Sequence, residues 1–228
     1  MATTTAEAFE EARDLEGPLS VKLAYYANQL RHLAPPIAAS YDRLIARLVA
    51  GEVGASAPAI GDKFPRFLLP SSDGHLVDSA DLFARGPTII SFNRGHWCPF
   101  CRLEAAALVA ASEEIVALGG QIAVITPETA AQNKKFRADA EAAFLFLCDI
   151  DNSFALQLGL VMRVDDQLQS LLRERNIDLA KFHGNDLWLL PLPATFVVDE
   201  QGVVRGRFVD PDFRKRGTID EIRAVLAH

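Results

Sequence analysis

Residues 88–101 read Thr88-Ile-Ile-Ser-Phe-Asn-Arg-Gly-His-Trp-Cys-Pro-Phe-Cys101, and the rest of the chain can be placed around them. The first five residues form a short apolar run with β-branched side chains, which predicts a buried strand. The run breaks at Arg94-Gly95, and good helix formers follow Pro99, a residue that the first turn of a helix tolerates. The stretch therefore predicts a strand, a tight loop, a Cys-x-x-Cys pair and a helix, in that order.

The Cys-x-x-Cys pair lies at the start of the predicted helix. Cys98 is placed at the positive end of the helix dipole, which favours a thiolate, and Cys101 follows one turn later, within reach for a short-loop disulfide. Such a pair could be half of a zinc site, but the only other cysteine is Cys148 and no matching histidine pair occurs. We therefore predict a redox-active pair with no metal or cofactor; two unrelated buried cysteines are the alternative.

The composition is that of an ordinary globular protein. Of the 228 residues, 50% are apolar and 23% are charged, and the net charge of −7 argues against a nucleic-acid partner. No apolar run approaches the roughly 18 residues that indicate a membrane span, and the N-terminal residues lack the pattern of a secretory signal. We expect a cytoplasmic protein with no membrane partner, and in that compartment a cysteine pair is more often catalytic than structural.

The first part of the chain is predicted to be helical. Helices are expected over residues 4–16 and 19–33, and a third helix with a single apolar face ends at Gly51. Their apolar faces need a partner, which could be the main domain or a second copy of the chain in a homodimer. We divide the chain into an N-terminal helical extension with its linker, residues 1–57, and a main domain, residues 58–228.

Strands and helices alternate in the main domain, after a hairpin around a Ser-Asp-Gly turn. Residues 163–190 are predicted to be mostly loop, with a helix at Gln167–Arg175. The alternation implies an α/β fold with a mixed central sheet flanked by helices, because a final hairpin adds antiparallel strands to parallel ones. The other predicted strands are 88–92, 121–126, 143–148, 194–199 and 203–209, and the other helices are the one that starts at the pair and ends at Gly119, then 128–141, 151–158 and 218–227.

Three further segments, one before the pair and two after it, carry motifs that belong together with it. They are Gly61-Asp-Lys-Phe-Pro-Arg-Phe-Leu-Leu-Pro with Asp73-Gly74, the segment 145–159, and Ala194-Thr-Phe-Val-Val-Asp with Gly202. Together with the pair, they resemble the thioredoxin superfamily, and within it the peroxiredoxin branch (alkyl hydroperoxide reductase/thiol-specific antioxidant). The resemblance runs from about residue 58 to the C-terminus, and it implies a thioredoxin fold and a thiol-dependent antioxidant oxidoreductase.

The register inside this branch is unusual. Peroxiredoxins carry Phe-x-Pro-x-x-x-Thr-x-x-Cys with a glutamate three residues later, and the residues at those five positions here are Phe92, Arg94, Cys98, Cys101 and Glu104. The proline and threonine of the family are therefore replaced. The family's later active-site arginine falls on Pro193, where thioredoxins carry a cis-proline that faces the pair. The chain resembles a peroxiredoxin with a thioredoxin-type centre, so the Leu192–Pro193 peptide is predicted to be cis; a trans proline at the start of the strand is the alternative.

Two mechanisms use the same pair. In a peroxidase, a thiolate attacks a hydroperoxide, becomes a sulfenic acid and condenses with the second cysteine, and thioredoxin or a similar thiol donor reduces the disulfide. In a reductase, Cys98 attacks a substrate disulfide and Cys101 releases the product. The register places the peroxide-attacking sulfur at Cys101, whereas the helix dipole and exposure favour Cys98. We predict the peroxidase; the alternatives are a thioredoxin-like thiol–disulfide reductase and a non-catalytic interaction protein.

Five residues near the pair are candidates for facing the substrate or tuning the thiols. Trp97 is expected either to flank the substrate surface or to be a packed aromatic residue. His96 and Arg94 could tune a thiolate by charge, but we favour a solvent-facing histidine and a surface arginine. Pro193 would present its backbone to an incoming disulfide, and Thr195 would point near the same site.

Four other polar or reactive residues are given plainer interpretations. Cys148 ends a buried strand and is expected to be a free core cysteine rather than a distant resolving cysteine. Glu104 is expected to be an acid on the helix surface. Asp149 and Asp151 flank a turn and are interpreted as helix caps rather than metal ligands.

Overall fold

The computed structural model of the protein describes residues 2–227. Its helices are α1 (Thr5–Asp14), α2 (Leu19–Leu33), α3 (Pro35–Ala50), α4 (Ser79–Phe83), α5 (Pro99–Ala110), α6 (Ser112–Ala117), α7 (Ala130–Asp139), α8 (Ser153–Gln157), α9 (Asp166–Arg173), α10 (Leu179–His183) and α11 (Ile219–Leu226). Its strands are β1 (Leu68–Pro70), β2 (Leu76–Asp78), β3 (Thr88–Phe92), β4 (Gln121–Thr126), β5 (Leu145–Cys148), β6 (Val161–Arg163), β7 (Leu189–Pro191), β8 (Ala194–Val198) and β9 (Val204–Val209).

A five-stranded mixed sheet forms the centre of the molecule, in the order β5-β4-β3-β8-β9. Strands β3, β4 and β5 are parallel, and β8 and β9 add two antiparallel strands at the other side. Every residue of β3 and of β8 is buried, which explains why both strands read as unbroken apolar runs rather than alternating patterns. The predicted mixed sheet flanked by helices is confirmed.

Residues 163–190 differ most from the prediction. They contain α9 and α10, and β7 pairs antiparallel with β6, which immediately precedes α9. Each of these strands has three residues, too few for a period of two to show in the sequence. The predicted helix after the cysteine pair is also divided into α5 and α6, because Ala111 leaves helical geometry with ψ near −3°.

The N-terminal helices bury their apolar faces within the chain. Leu23, Leu30, Leu44 and Leu48 from α2 and α3 all belong to the buried core. Helix α2 packs on α5, where the rings of Tyr26 and Phe100 meet edge to face with centroids 5.2 Å apart. The main domain is therefore one partner of these faces, while the homodimer and the boundary near residue 57 stay predictions.

The two aspartates that follow β5 have different roles. Asp149 accepts the backbone N–H groups of Phe154 and Ala155 at 2.9 and 2.8 Å, which confirms its capping role at α8. Asp151 caps no helix: it has a left-handed φ of 67° and accepts a hydrogen bond from Asn185. Within residues 2–227, none of the helices combines the length and apolar character needed to cross a membrane.

Candidate active site

The cysteine pair lies where the central strand β3 gives way to α5. Cys98 is the N-cap of α5 and Pro99 occupies its first turn, as the sequence predicts. The backbone N–H of Asn93 donates to the carbonyl of Ile125 at 2.8 Å, which extends the pairing of β3 with β4 beyond the strand. The pair is thus held at the carboxyl edge of the parallel strands and at the positive end of a twelve-residue helix.

Both cysteines are fully buried. Cys98 and Cys101 are each 0% exposed, and both are free thiols. A guanidinium nitrogen of Arg94, Nη2, donates to Cys98 Sγ at 2.9 Å, and the backbone N–H of Arg94 donates to Cys101 Sγ at 3.3 Å. Exposure, expected from the sequence to favour Cys98, therefore does not distinguish the two sulfurs.

The two thiols differ instead in pKa, because their electrostatic surroundings differ. Burial by itself would raise the pKa of Cys98, but a hydrogen bond from the Cys101 thiol and the positive charge of Arg94 lower it to about 6. Burial raises the pKa of Cys101 well above its ordinary value. The hydrogen bond that the Cys101 S–H donates to Cys98 raises it further. The arrangement is a Cys98 thiolate that accepts a hydrogen bond from a Cys101 thiol.

Arg94 is the residue that departs furthest from its sequence interpretation. The favoured surface arginine is wrong, because the residue is 1% exposed. Its guanidinium lies over the ring of Phe213 at 4.1 Å and within 5.5 Å of the ring centroids of Tyr41 and Trp97. This aromatic surround keeps the cation desolvated and aimed at Cys98, which strengthens its effect on the sulfur.

A second buried cation lies behind the pair. Glu104, expected on the helix surface, is instead 4% exposed and accepts a hydrogen bond from Arg216 Nε at 2.9 Å. Ser91 and Thr195 both donate to the other carboxylate oxygen of Glu104. Arg216 also helps to lower the pKa of Cys98. Sequence reasoning did not find Arg216, which lies in an irregular charged segment near the C-terminus.

Glu128 is a buried carboxyl that sequence reasoning also missed. Burial raises its pKa to about 8, against one hydrogen bond from the backbone N–H of His96 at 3.0 Å. Gly95 is required for this approach: it has a φ of +125°, and a Cβ there would lie 2.5 Å from Glu128. The available signal is the position of Glu128, two residues beyond the end of β4, at the same sheet edge as the pair.

His96 and Trp97 have contacts that the sequence leaves open. The predicted solvent-facing histidine is wrong: the His96 side chain is 13% exposed and its Nε2 lies 2.8 Å from Asp139. Burial lowers the pKa of His96, against the opposing charge of Asp139. Trp97 is partly buried, and its indole N–H donates to the carbonyl of Arg94 at 3.1 Å, so it both packs on the loop and reaches the surface cleft described below.

The cis-proline prediction is wrong. None of the peptide bonds in the described part of the chain is cis, so Leu192–Pro193 is trans. The alternative interpretation, a trans proline directly before the strand, therefore holds: Pro193 immediately precedes β8. Thr195 is buried on β8 and reaches the pair indirectly, through its hydrogen bond to Glu104.

Cys148 belongs to a different part of the core. It ends β5, two strands from β3, and its sulfur accepts a hydrogen bond from Asn133 at 3.2 Å. Burial raises its pKa, so its ordinary form is the inert thiol. Within the described residues, no group of three or more His, Cys, Asp or Glu side chains is arranged to hold a metal ion.

Four buried polar atoms near the pair have no hydrogen-bond partner among the described residues. They include donors from both buried cations, and the set is Arg94 Nε, Arg216 Nη2, Asn93 Oδ1 and Glu128 Oε1. Leaving such groups unpaired is costly, about 1–3 kcal/mol each, so each of them is a potential contact for a small polar molecule.

The N-terminal helices cover the pair. Phe100, in the first turn of α5, is enclosed by the rings of Tyr26 and Tyr41, and Arg102 lies over the ring of Phe9 at 4.0 Å. Between these helices, Trp97 and the end of α9 there is a surface cleft of about 200 Å³. A fold with a buried, electrostatically polarised cysteine pair at this sheet edge is that of a thioredoxin-fold thiol oxidoreductase.

Comparisons with known proteins place this chain more narrowly. Residues 60–207 match the AhpC/TSA family, so the chain belongs to that family and the predicted peroxiredoxin branch is confirmed. A curated protein similar to this chain is the thiol:disulfide interchange protein DsbE of Pseudomonas aeruginosa, 26% identical over 152 residues, or 66% of each chain. The chain therefore spans just under two thirds of the length of that relative.

Solved structures share the fold. Peroxidoxin BcpB from Mycobacterium tuberculosis aligns with a TM-score of 0.58 and 20% identity over 74% of this chain and 96% of its own. Reduced Prx3 from Vibrio vulnificus, in complex with H2O2, aligns with a TM-score of 0.58 and 22% identity over 74% of this chain and 98% of its own. The N-terminal helices α1–α3 lie outside the family match, which begins at residue 60.

Proposed function

We propose that the protein reduces small hydroperoxides through Cys98 and Cys101. The observation that carries this proposal is that both sulfurs are fully buried beside unpaired guanidinium N–H donors. A molecule of a few atoms can use such donors, whereas a protein disulfide cannot reach either sulfur in this conformation. The thiol oxidoreductase class follows from the family, and the hydroperoxide substrate is our proposal.

In the first step, the Cys98 thiolate attacks the nearer oxygen of the O–O bond. A sulfur–oxygen bond forms, Cys98 becomes a sulfenic acid, and the O–O bond breaks to release an alkoxide or hydroxide that takes up a proton. The developing negative charge on the leaving oxygen is stabilised by the free N–H groups of Arg94 and Arg216. A pKa of about 6 for Cys98 keeps it as thiolate at neutral pH.

In the second step, the Cys101 sulfur attacks the sulfenic acid. A Cys98–Cys101 disulfide forms and the sulfenic oxygen leaves as water, with one proton coming from the Cys101 thiol. Glu128, which keeps its proton at neutral pH because its pKa is about 8, is the proposed relay: it gives its proton to the departing oxygen and takes up the proton of the Cys101 thiol. Two external thiols, from thioredoxin or a similar donor, then reduce the disulfide; a protein donor requires the N-terminal helices to move aside. A reducing cytoplasm is the proposed compartment.

A thiol–disulfide reductase is the second candidate. The features that favour it are the depressed pKa of Cys98, the Cys-x-x-Cys spacing and the similarity to a thiol:disulfide interchange protein. In that reaction Cys98 forms a mixed disulfide with the substrate and Cys101 resolves it. The burial of both sulfurs argues against it.

Stopped-flow oxidation with H2O2 distinguishes the two candidate functions and identifies the attacking sulfur. It compares the reduced protein with Cys98→Ser and Cys101→Ser. We expect oxidation to be lost in Cys98→Ser, and to persist in Cys101→Ser with a sulfenic acid trapped by dimedone. Oxidation lost in Cys101→Ser but retained in Cys98→Ser would reassign the attacking sulfur. Oxidation no faster than that of a free thiol would reject the peroxidase.

A further inference from the structure

The cleft above the cysteine pair is built partly from the N-terminal helices, which lie outside the family match. Its walls are Tyr26 and Leu30 from α2, Ile37 and Tyr41 from α3, and Leu172 and Ile177 at the end of α9. Trp97, Pro99 and Phe100 form its floor, directly beside Cys98. Tyr26, which lines the cleft, lies close enough to both Cys98 and Arg175 to feel their charges, so the cleft is next to the buried pair.

The cleft has an apolar body and one charge. Among the described residues that line it, Arg175 is the only charged side chain, and none is acidic. Arg175 is exposed, donates to the hydroxyl of Thr5 at 3.4 Å, and has no carboxylate partner in the described part of the chain. In a protein with a net charge of −7, an unpaired cation beside an apolar cleft is suited to binding an anionic group.

The volume limits what the cleft can hold. Pockets for drug-sized ligands have roughly 300–1,000 Å³. A cleft of about 200 Å³ accepts a body the size of one substituted ring or a short branched chain, but not a long lipid chain or a peptide.

We propose that this cleft is the substrate site and selects a small, apolar organic hydroperoxide that carries a carboxylate, held by Arg175. The apolar body lies against Leu30, Ile37 and Ile177, which makes these residues determinants of specificity. The inference rests on the proposed function, because it takes the reactive group of the ligand to be a hydroperoxide. The chemistry is unchanged: Cys98 takes the terminal oxygen, and the alkoxide leaves as an alcohol that keeps its carboxylate.

Binding can be tested without any reaction. The probe is 4-isopropylbenzoate, which has a carboxylate and an apolar body but no O–O bond, titrated into the reduced full-length protein by calorimetry. We expect Arg175→Gln to weaken binding by about tenfold or more, through loss of a charge-assisted contact. The matched control is Arg163→Gln, which removes an equal charge from an exposed side chain outside the cleft and should change binding less than about twofold.

The shape of the cleft is tested at Ile177, which is only partly buried. Ile177→Trp fills the cleft and should abolish binding of 4-isopropylbenzoate, whereas Ile177→Ala widens it and should retain binding. The neutral analogue 4-isopropylbenzyl alcohol should bind the wild type at least about tenfold more weakly than the carboxylate. Equal affinity for acid and alcohol, or binding unaffected by Arg175→Gln, would overturn the proposal.

A kinetic comparison separates this inference from the proposed function. The reduced protein is mixed with H2O2, with cumene hydroperoxide and with the para-carboxylate of cumene hydroperoxide. We expect the carboxylate to be the best substrate and to lose its advantage in Arg175→Gln. Binding of 4-isopropylbenzoate without oxidation by any hydroperoxide would keep the site and reject the peroxidase. Oxidation by all three at similar rates would keep the peroxidase and reject the specificity.

Discussion

The guanidinium of Arg94 contacts Cys98 at 2.9 Å and, after the hydrogen bond from Cys101, is the main cause that lowers the pKa of Cys98. Arg94→Met removes the charge while keeping most of the apolar stem. Burial is then opposed mainly by the hydrogen bond from Cys101, so the pKa of Cys98 should rise from about 6 by at least about one unit. The check is the pH dependence of thiolate absorbance at 240 nm, below the pH range in which Cys101 ionises, in the reduced protein with and without Arg94→Met.

Arg94→Lys is the matched control, because it keeps a positive charge without the planar fork. It should shift the Cys98 pKa less than Arg94→Met does. The rate of oxidation in the intact protein should rise as pH increases through the Cys98 pKa, since only the thiolate attacks. An unchanged pKa in Arg94→Met would show that this guanidinium does not control the sulfur.

Glu128 gives a prediction about stability. The unfolded carboxyl ionises near pH 4.5, whereas the folded one keeps its proton up to about pH 8. Between these values the native state binds more protons than the unfolded state, so this group makes the free energy of unfolding fall as pH rises. Glu128→Gln keeps the acceptor for His96 but cannot ionise. Its stability relative to wild type should therefore increase between pH 6 and 7.5, by up to about 1.4 kcal/mol per pH unit.

The measurement is urea unfolding of both proteins across that pH range, with Glu141→Gln as the control for a solvent-exposed carboxyl. A difference between Glu128→Gln and wild type that does not change with pH would mean that Glu128 is ionised in the folded protein at pH 6.

For single residues, the sequence predicts position in a helix or strand better than it predicts burial and contacts. The positions of Cys98 and Pro99 follow from local pattern, because a helix start has a local signature. The burial of Arg94 depends on Phe213 and Tyr41, which are 119 and 53 residues away along the chain. The partner of Glu104 is Arg216, 112 residues away, so no local pattern could reveal that pair.

Among the elements, helix α1 is the outermost part of the cover over α5. Phe9 is 5% exposed and its ring lies against Arg102 of α5. Phe9→Ala should weaken the docking of α1, since truncating a buried phenylalanine costs about 3–5 kcal/mol. The result should be faster reaction of the native protein with the bulky thiol reagent DTNB, by at least about tenfold, measured under conditions in which the protein stays folded.

The control for this change is Glu10→Ala, an exposed residue on the same helix that forms an ion pair with Arg13. It should leave the DTNB rate near that of wild type. Equal DTNB rates in Phe9→Ala and wild type would show that α1 does not limit access to the cysteines.

Some strands can be predicted from the local sequence pattern, and others cannot. Strands β3, β4 and β8 are long, apolar and rich in β-branched residues, and their predicted positions agree with the structure within about two residues. Strands β6 and β7 are three residues each and exist because they pair with one another, which is a tertiary effect.

The molecule as a whole is a thioredoxin fold whose cysteine pair is covered by an N-terminal extension, helices α1–α3. The sequence indicates that helices α1–α3 have apolar faces, but not which surface covers them. The structure places those faces on α5 and above the cysteine pair. The same packing that stabilises the extension therefore restricts the size of molecules that can reach Cys98.

The central claim is that this enclosed pair reacts with small hydroperoxides and not with protein disulfides. The most direct test presents the reduced full-length protein with a hydroperoxide and, separately, with insulin at equal concentrations of oxidant, and follows loss of the Cys98 and Cys101 thiols. We expect oxidation by the hydroperoxide to be faster by at least about a hundredfold. Oxidation by insulin at an equal or greater rate would contradict it.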